Sequence, residues 1–181
     1  MAFPLKQCLS LLALAFCSFA LTACLSSDKP LIDPDSRVLP FTPPITIEVY
    51  DRKNSTEPWQ KQKERITLVA DNQLLVRIKD GVSEDTFAFY PLEPRRFIVE
   101  SRMKSNGRFA YGVLEIRNGE GFLHHINCES LDQAAFKNAG GVVTGDSFKD
   151  CKLDKVSNPL ALLKSFAANP TGTQQRYVPV R

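Results

Sequence analysis

The chain holds little of what catalysis commonly draws on. Its 181 residues include two histidines, one tryptophan and two methionines. Only His124 and His125 could serve as an imidazole base, and no Gly-x-Ser-x-Gly turn is present, so serine hydrolysis has no visible machinery. No Cys-x-x-Cys pair occurs, which removes the common redox and zinc patterns. Gly140-Gly141-Val-Val-Thr-Gly145 is glycine-rich but lacks the Lys-Ser/Thr ending of a phosphate loop. Charge of one sign is also lacking: 23 Lys and Arg stand against 20 Asp and Glu, which gives no argument for nucleic acid as a partner. The one sustained apolar stretch, Gln7 to Ala20, falls short of the roughly 20 residues of a comfortable membrane span.

That stretch has another form. Lys6 supplies a basic start, the centre is short and apolar, and small residues stand at the exit. Leu21-Thr22-Ala23-Cys24 closes it, just before a polar, proline-rich segment. These four residues resemble the lipobox of bacterial lipoproteins, and the resemblance covers residues 1–24 only. It implies that 1–23 is a signal peptide, that Cys24 receives a thioether-linked diacylglycerol, and that a lipoprotein signal peptidase cuts before it. Two or three acyl chains make a stable anchor where one does not. By the family's sorting rule, Leu25 in place of Asp favours the outer membrane in a cell with two membranes, facing the periplasm. The expected location is therefore the cell envelope.

Five cysteines then divide. Cys8 and Cys17 leave with the signal, Cys24 carries lipid, and Cys128 and Cys151 remain as an even pair in an exported chain. A disulfide between them is the expectation for an oxidising compartment. Residues 24–44, with Pro30, Pro34, Pro40, Pro43 and Pro44, read as an extended tether. Residues 45–181 read as one domain.

Within it, Ile45 to Tyr50 alternates as a half-buried strand does, and Asp51 to Arg65 reads as a loop around Pro58 and Trp59. Trp59 is expected to close one end of the core or to be an exposed contact. Short alternating runs continue from Ile66 to Asn127, punctuated by Asn106-Gly107 and Asn118-Gly119, the strongest short hairpin signals. Gly112 inside a run suggests a bend or a close backbone approach. After Cys128 the period changes. Ser130 to Gln133 has the form of a capping box ahead of a short helix to Ala139, and Val142 to Asp150 reads as a connection. Asn158-Pro159 opens a second helix with Leu160, Leu163, Phe166 and Ala167 on one face. Tyr177 to Val180 reads as a last edge strand, where proline is tolerated. The expected fold is α+β: a curled antiparallel meander of six to seven strands, open or partly closed into a barrel, followed by two short helices.

Few constellations carry chemistry. His124 and His125 lie close to Cys128, but adjacent strand residues face opposite ways, so no metal site is expected. Glu115, Glu120, Glu129, Asp132, Asp146 and Asp150 read as scattered surface acids. Arg102, Lys104 and Arg108, around the Asn106-Gly107 turn, form a candidate anion-binding patch or a charged face protecting strand edges. No catalytic residue, cofactor or metal is expected. The function expected is a non-enzymatic, lipid-anchored envelope module, held to the membrane by its N-terminal lipid, that binds a protein or cell-wall partner. The alternatives are a periplasmic inhibitor of a lysozyme-like hydrolase, by analogy with small disulfide-bonded barrels, and less readily a metal protein or enzyme.

Overall fold

The computed structural model describes residues 25–52, 56–79, 82–102, 106–126, 128–145, 150–168, 170 and 174–180. The expected signal segment 1–23, Cys24, Lys104 and Asp146 lie outside the described residues.

Seven strands run up and down in succession: β2 (Ile45–Arg52), β3 (Gln60–Asp71), β4 (Leu74–Lys79), β5 (Val82–Glu93), β6 (Arg96–Arg102), β7 (Phe109–Arg117) and β8 (Glu120–His125). Each pairs antiparallel with the next. The C-terminal strand β11 (Gln174–Pro179) then lies antiparallel between β8 and β2 and completes the circle. The result is a closed eight-stranded barrel. Three short strands extend the sheet outside it: β1 (Leu25–Ser27), β9 (Val142–Thr144) and β10 (Asp150–Lys152). Two α-helices, α1 (Gln133–Asn138) and α2 (Pro159–Ala167), and two 3-10 turns, Pro34–Ser36 and Cys128–Ser130, complete the described elements.

This corrects the expected α+β class and its six-to-seven-strand meander. The protein is mostly β, and its barrel is closed. The cause is Gln174–Pro179, which pairs on both sides rather than one. Pro179 misleads because a proline without a donor suggests an edge, yet it sits at the strand's last position, opposite Ile47. Closure removes the open edges that an eight-stranded flat sheet would expose. The expected loop over Asp51 to Arg65 is also mostly strand, since β3 begins at Gln60 and a register shift lets its polar first half pair with β2.

The expected tether is part of the fold. Leu25 has no exposed surface, and Ser26 and Ser27 are each 1% exposed. β1 runs parallel to β10 and antiparallel to the first half of β7, in the space that β8 leaves when it ends. A buried carboxylate fastens the residues beyond β1: Glu100 Oε2 accepts from Leu31 N at 2.5 Å, Ile32 N at 3.2 Å and the Tyr111 hydroxyl at 3.1 Å. Val38 N then donates to Phe89 O of β5. Pro34 opens a single 3-10 turn over Pro34–Ser36, capped by Asp33, and Ile32 just before it is buried.

Local chemistry sets the turns and caps. Asn118 and Gly119 both take positive φ, 53° and 82°, as the two-residue hairpin requires. A side chain at Gly112 would meet His124 O at 2.9 Å across the sheet, which explains the glycine. Asn158 caps α2 by accepting from Ala161 N, with Pro159 in the first turn, and Leu163 and Ala167 are buried beneath it. The side chain of Ser130, on which the expected capping box turns, lies outside the described ones. Asp132 caps α1, accepting from both Ala134 N and Ala135 N, because a carboxylate one residue before the helix reaches two free donors. Cys128 and Cys151 form a disulfide with their Cα atoms 5.3 Å apart.

Two apolar cores result. The outer core lies between the outward faces of β6 and β7, α1, α2, β1 and the disulfide; Phe136, Leu153 and Leu163 are among its fully buried members. The inner core fills the barrel with Ile47, Leu68, Leu75, Phe89, Val99, Leu114 and Leu123. Strand alternation feeds both: in β6, Phe97 and Val99 point inward while Ile98 and Glu100 point outward beneath the cover.

Candidate functional site inside the barrel

The barrel interior has two chemically different halves. At the end where β2 begins, Phe41, Ile47, Ile66, Leu68, Phe87, Phe89, Val99, Leu114, Leu123 and Tyr177 line an apolar pocket with about 40 Å³ of free space. Eight-stranded barrels of this kind either fill with side chains or hold one small ligand. Here the filling is incomplete. Gly121 is one reason, since a Cβ there would meet the Phe41, Leu114 and Tyr177 side chains at 3.1–3.4 Å. Phe41 comes from the segment before β2 and packs over the mouth, so the N-terminal strap supplies part of the pocket wall.

The other half is polar. Along β2 the inward positions are Ile45, Ile47, Val49 and Asp51, so the alternation ends on a carboxylate. One cross-strand row carries Asp51, Gln175, Leu123 and Leu114, which puts the acid and the amide beside two residues of the pocket wall. Gln62 Nε2 donates to Asp51 Oδ2 at 2.5 Å. The Tyr177 hydroxyl donates to Gln175 Oε1 at 2.8 Å. Asp51 Oδ1 is buried and has no hydrogen-bond partner among the described residues.

Burial governs the protonation of this half. It pushes the Asp51 carboxyl above its ordinary value, against the pull of Gln175 and Gln62. It pushes the His125 imidazole below its ordinary value, with Gln175 and Asp51 opposing, so His125 is neutral at neutral pH. It also raises the Tyr177 phenol beyond the titration range of proteins. Arg77, paired with Glu84 at 3.2 Å and Asp85 at 3.5 Å, acts on Tyr177 from the same side.

The structure separates the expected site residues. Arg108 is held by Asp28 and Asp150, each at 3.0 Å, with Asp154 at 4.0 Å, so its charge is met within the protein. Arg102 is exposed at the end of β6, in register with Phe109. Lys104 is outside the described residues, so the patch is not assembled by the described part of the chain. His124 and His125 do face opposite ways: the first lies outside near Glu115 and Arg117, the second inside near Asp51. Several of the acids have structural partners: Glu115 pairs with Arg117, Glu120 with Arg176, and Asp150 with Arg108. Trp59 closes no core; it lies against Phe122 on the outer wall with the Arg52 guanidinium 4.2 Å from its ring centre. Among the described residues no group of three metal-ligating side chains converges, and no helix is long and apolar enough to cross a membrane.

Sequence reasoning missed Phe41, Asp51, Gln175 and Tyr177. The signal for Asp51 was present in the alternation from Ile45, which places it on the inward face. Nothing local marks the other three, because their neighbours come from other strands. Up-and-down closure of this kind defines a general class of barrel. No family model, no curated protein and no solved structure matches the chain.

Proposed function

We propose that this protein is a non-catalytic, lipid-anchored module of the cell envelope that takes a small apolar ligand into its barrel. The single observation that carries the binding half is the incompletely filled interior, walled by aliphatic and aromatic side chains, among them the partly buried ring of Phe41. An apolar space stays dry, and at about 40 Å³ this one takes up an apolar solute only if a lining side chain such as Phe41 gives way. The anchor rests on Leu21 to Cys24 and on the disulfide, which fits an oxidising compartment. The lipid would hold the barrel at the membrane, where apolar molecules are concentrated.

Two measurements test the two halves separately. Replacing Cys24 with Ser should abolish palmitate labelling and release the protein from the membrane fraction; unchanged labelling rejects the anchor. For binding, residues 24–181 carrying Cys24→Ser, which span the whole described fold, are titrated with benzene and followed by NMR. Benzene should shift the resonances of Leu114, Leu123 and Val99. Phe41→Ala should tighten binding by at least tenfold, since the ring no longer has to be displaced. If neither form takes up benzene, the barrel is not a binding site.

A further inference from the structure

The two halves of the interior point to a more specific ligand, on the reading that the barrel binds at all. We infer that it selects a slender aliphatic molecule whose leading end is a hydrogen-bond donor, an alcohol or a primary amine, and that Asp51 and Gln175 receive that end.

The pocket wall is apolar from Phe41 to Leu123 and Tyr177, and about 40 Å³ of free space admits nothing wider than a thin chain that displaces Phe41. Gln175 stands opposite Leu123 and accepts from the Tyr177 hydroxyl, so the polar pair adjoins this wall. Ile47 and Asp51 are four residues apart on one strand face, about 13 Å at the rise of a β-strand. A chain of moderate length has the reach to bring its leading end to the polar half. What waits there is an acceptor. Asp51 Oδ2 is taken by Gln62 and the Gln175 side chain also pulls on the carboxylate, but no donor among the described residues completes a hydrogen bond to the buried Oδ1. A buried acceptor without a donor is unfavourable, and a ligand that brings a donor relieves it. Gln175 is fixed by the Tyr177 hydroxyl on its Oε1 and stands beside Asp51 in the same cross-strand row.

Charge argues in the same direction. Among the described residues around this half, the acids Asp51, Glu84 and Asp85 outnumber the guanidinium of Arg77, and His125 is neutral. A fatty acid would bring a second carboxylate next to Asp51, where the nearby positive charge is already met by Glu84 and Asp85. An alcohol or ammonium would not.

The experiment compares hexan-1-ol, hexylamine, hexanoate and cyclohexane on residues 24–181 carrying Cys24→Ser and Phe41→Ala, by calorimetry at neutral pH. The amine and the alcohol should bind at least tenfold more tightly than hexanoate, the scale of one charge-assisted hydrogen bond. Asp51→Asn should remove the preference for the amine over hexanoate while leaving cyclohexane binding unchanged, which also reports that the variant is folded. Gln175→Leu should weaken the amine and alcohol without affecting cyclohexane. Equal affinity for hexylamine and hexanoate, or an unchanged order in Asp51→Asn, overturns the inference. If cyclohexane binds and no head group is preferred, only this inference falls; if nothing binds, the binding reading falls with it.

Discussion

The inner and outer cores use the same residue types from the same strands and end in different states. In β6 and β7 alternate side chains enter each core, so sequence composition does not separate them. The outer core is covered by two helices, a disulfide and the N-terminal strap, and its members Phe136, Ile98, Val113 and Leu163 have no exposed surface. The inner core is enclosed by a circle of hydrogen bonds whose circumference is set by strand number, not by side-chain volume. Its Ile66, Phe87, Phe97 and Tyr177 stay partly buried, and a pocket and the buried, unpartnered Asp51 Oδ1 remain. Helices can slide until a core is tight; a closed ring of strands cannot. The outer core is thus where stability resides, and the inner core is where space for a ligand is tolerated.

Truncating aromatic rings should separate the two cores most strongly. Phe136→Ala is expected to cost about 4 kcal/mol, near the centre of the range for buried phenylalanine. Phe87→Ala, a half-buried wall of the existing pocket, should cost about half as much, since the lost ring enlarges a space already partly open. Urea unfolding with matched m-values checks both, and equal costs would break the comparison. Gly141→Ala probes the same packing from the other side: a Cβ there would fall 2.3 Å from the Phe136 ring, so measurable destabilisation is expected.

Removing the disulfide through Cys128→Ala with Cys151→Ala should cost roughly 3 kcal/mol in the chain-entropy account of a 23-residue separation. It should leave benzene binding intact, because the bridge belongs to the outer core.

Glu100 sharpens the comparison through pH. Burial raises its carboxyl above the ordinary value despite the donors from Leu31, Ile32 and Tyr111. The folded state therefore holds this proton more tightly than the unfolded chain. The stability so gained is fully present below the ordinary carboxylate value and is lost as pH rises through the raised folded value. Glu100→Gln cannot ionise, so the difference in stability between parent and variant should shift in favour of the variant across that window. A difference that stays flat with pH rejects a buried, proton-holding carboxylate under the strap.

The smallest effect on stability belongs to Phe41→Ala, about 1 kcal/mol for a partly buried ring at a mouth. If it costs as much as Phe136→Ala, Phe41 is core and not a movable cover.

Particular residues show how far the sequence could be read. The turn at Asn118-Gly119 and the cap at Asn158-Pro159 act within a few residues, so their neighbours along the chain sufficed. The Cys128–Cys151 bridge follows from cysteine parity together with the expected export of the chain. The strap was misread because its prolines dominate any local score, whereas Glu100, some seventy residues distant, holds it down. Closure was misread because β11 looks like an edge until both of its partners are in place.

The sequence by itself determined where most strands and helices begin and end, which cysteines are left to pair, and which side chains alternate along each strand. Those are properties of backbone dihedrals, caps and a period of two. Only the tertiary structure decided that eight strands close, that Leu25 to Val38 lies against the barrel, and that Asp51, Gln175 and Tyr177 meet beneath an apolar pocket. Each of these joins residues far apart in the chain, and no local pattern encodes which distant partner a strand edge or a buried carboxylate will find.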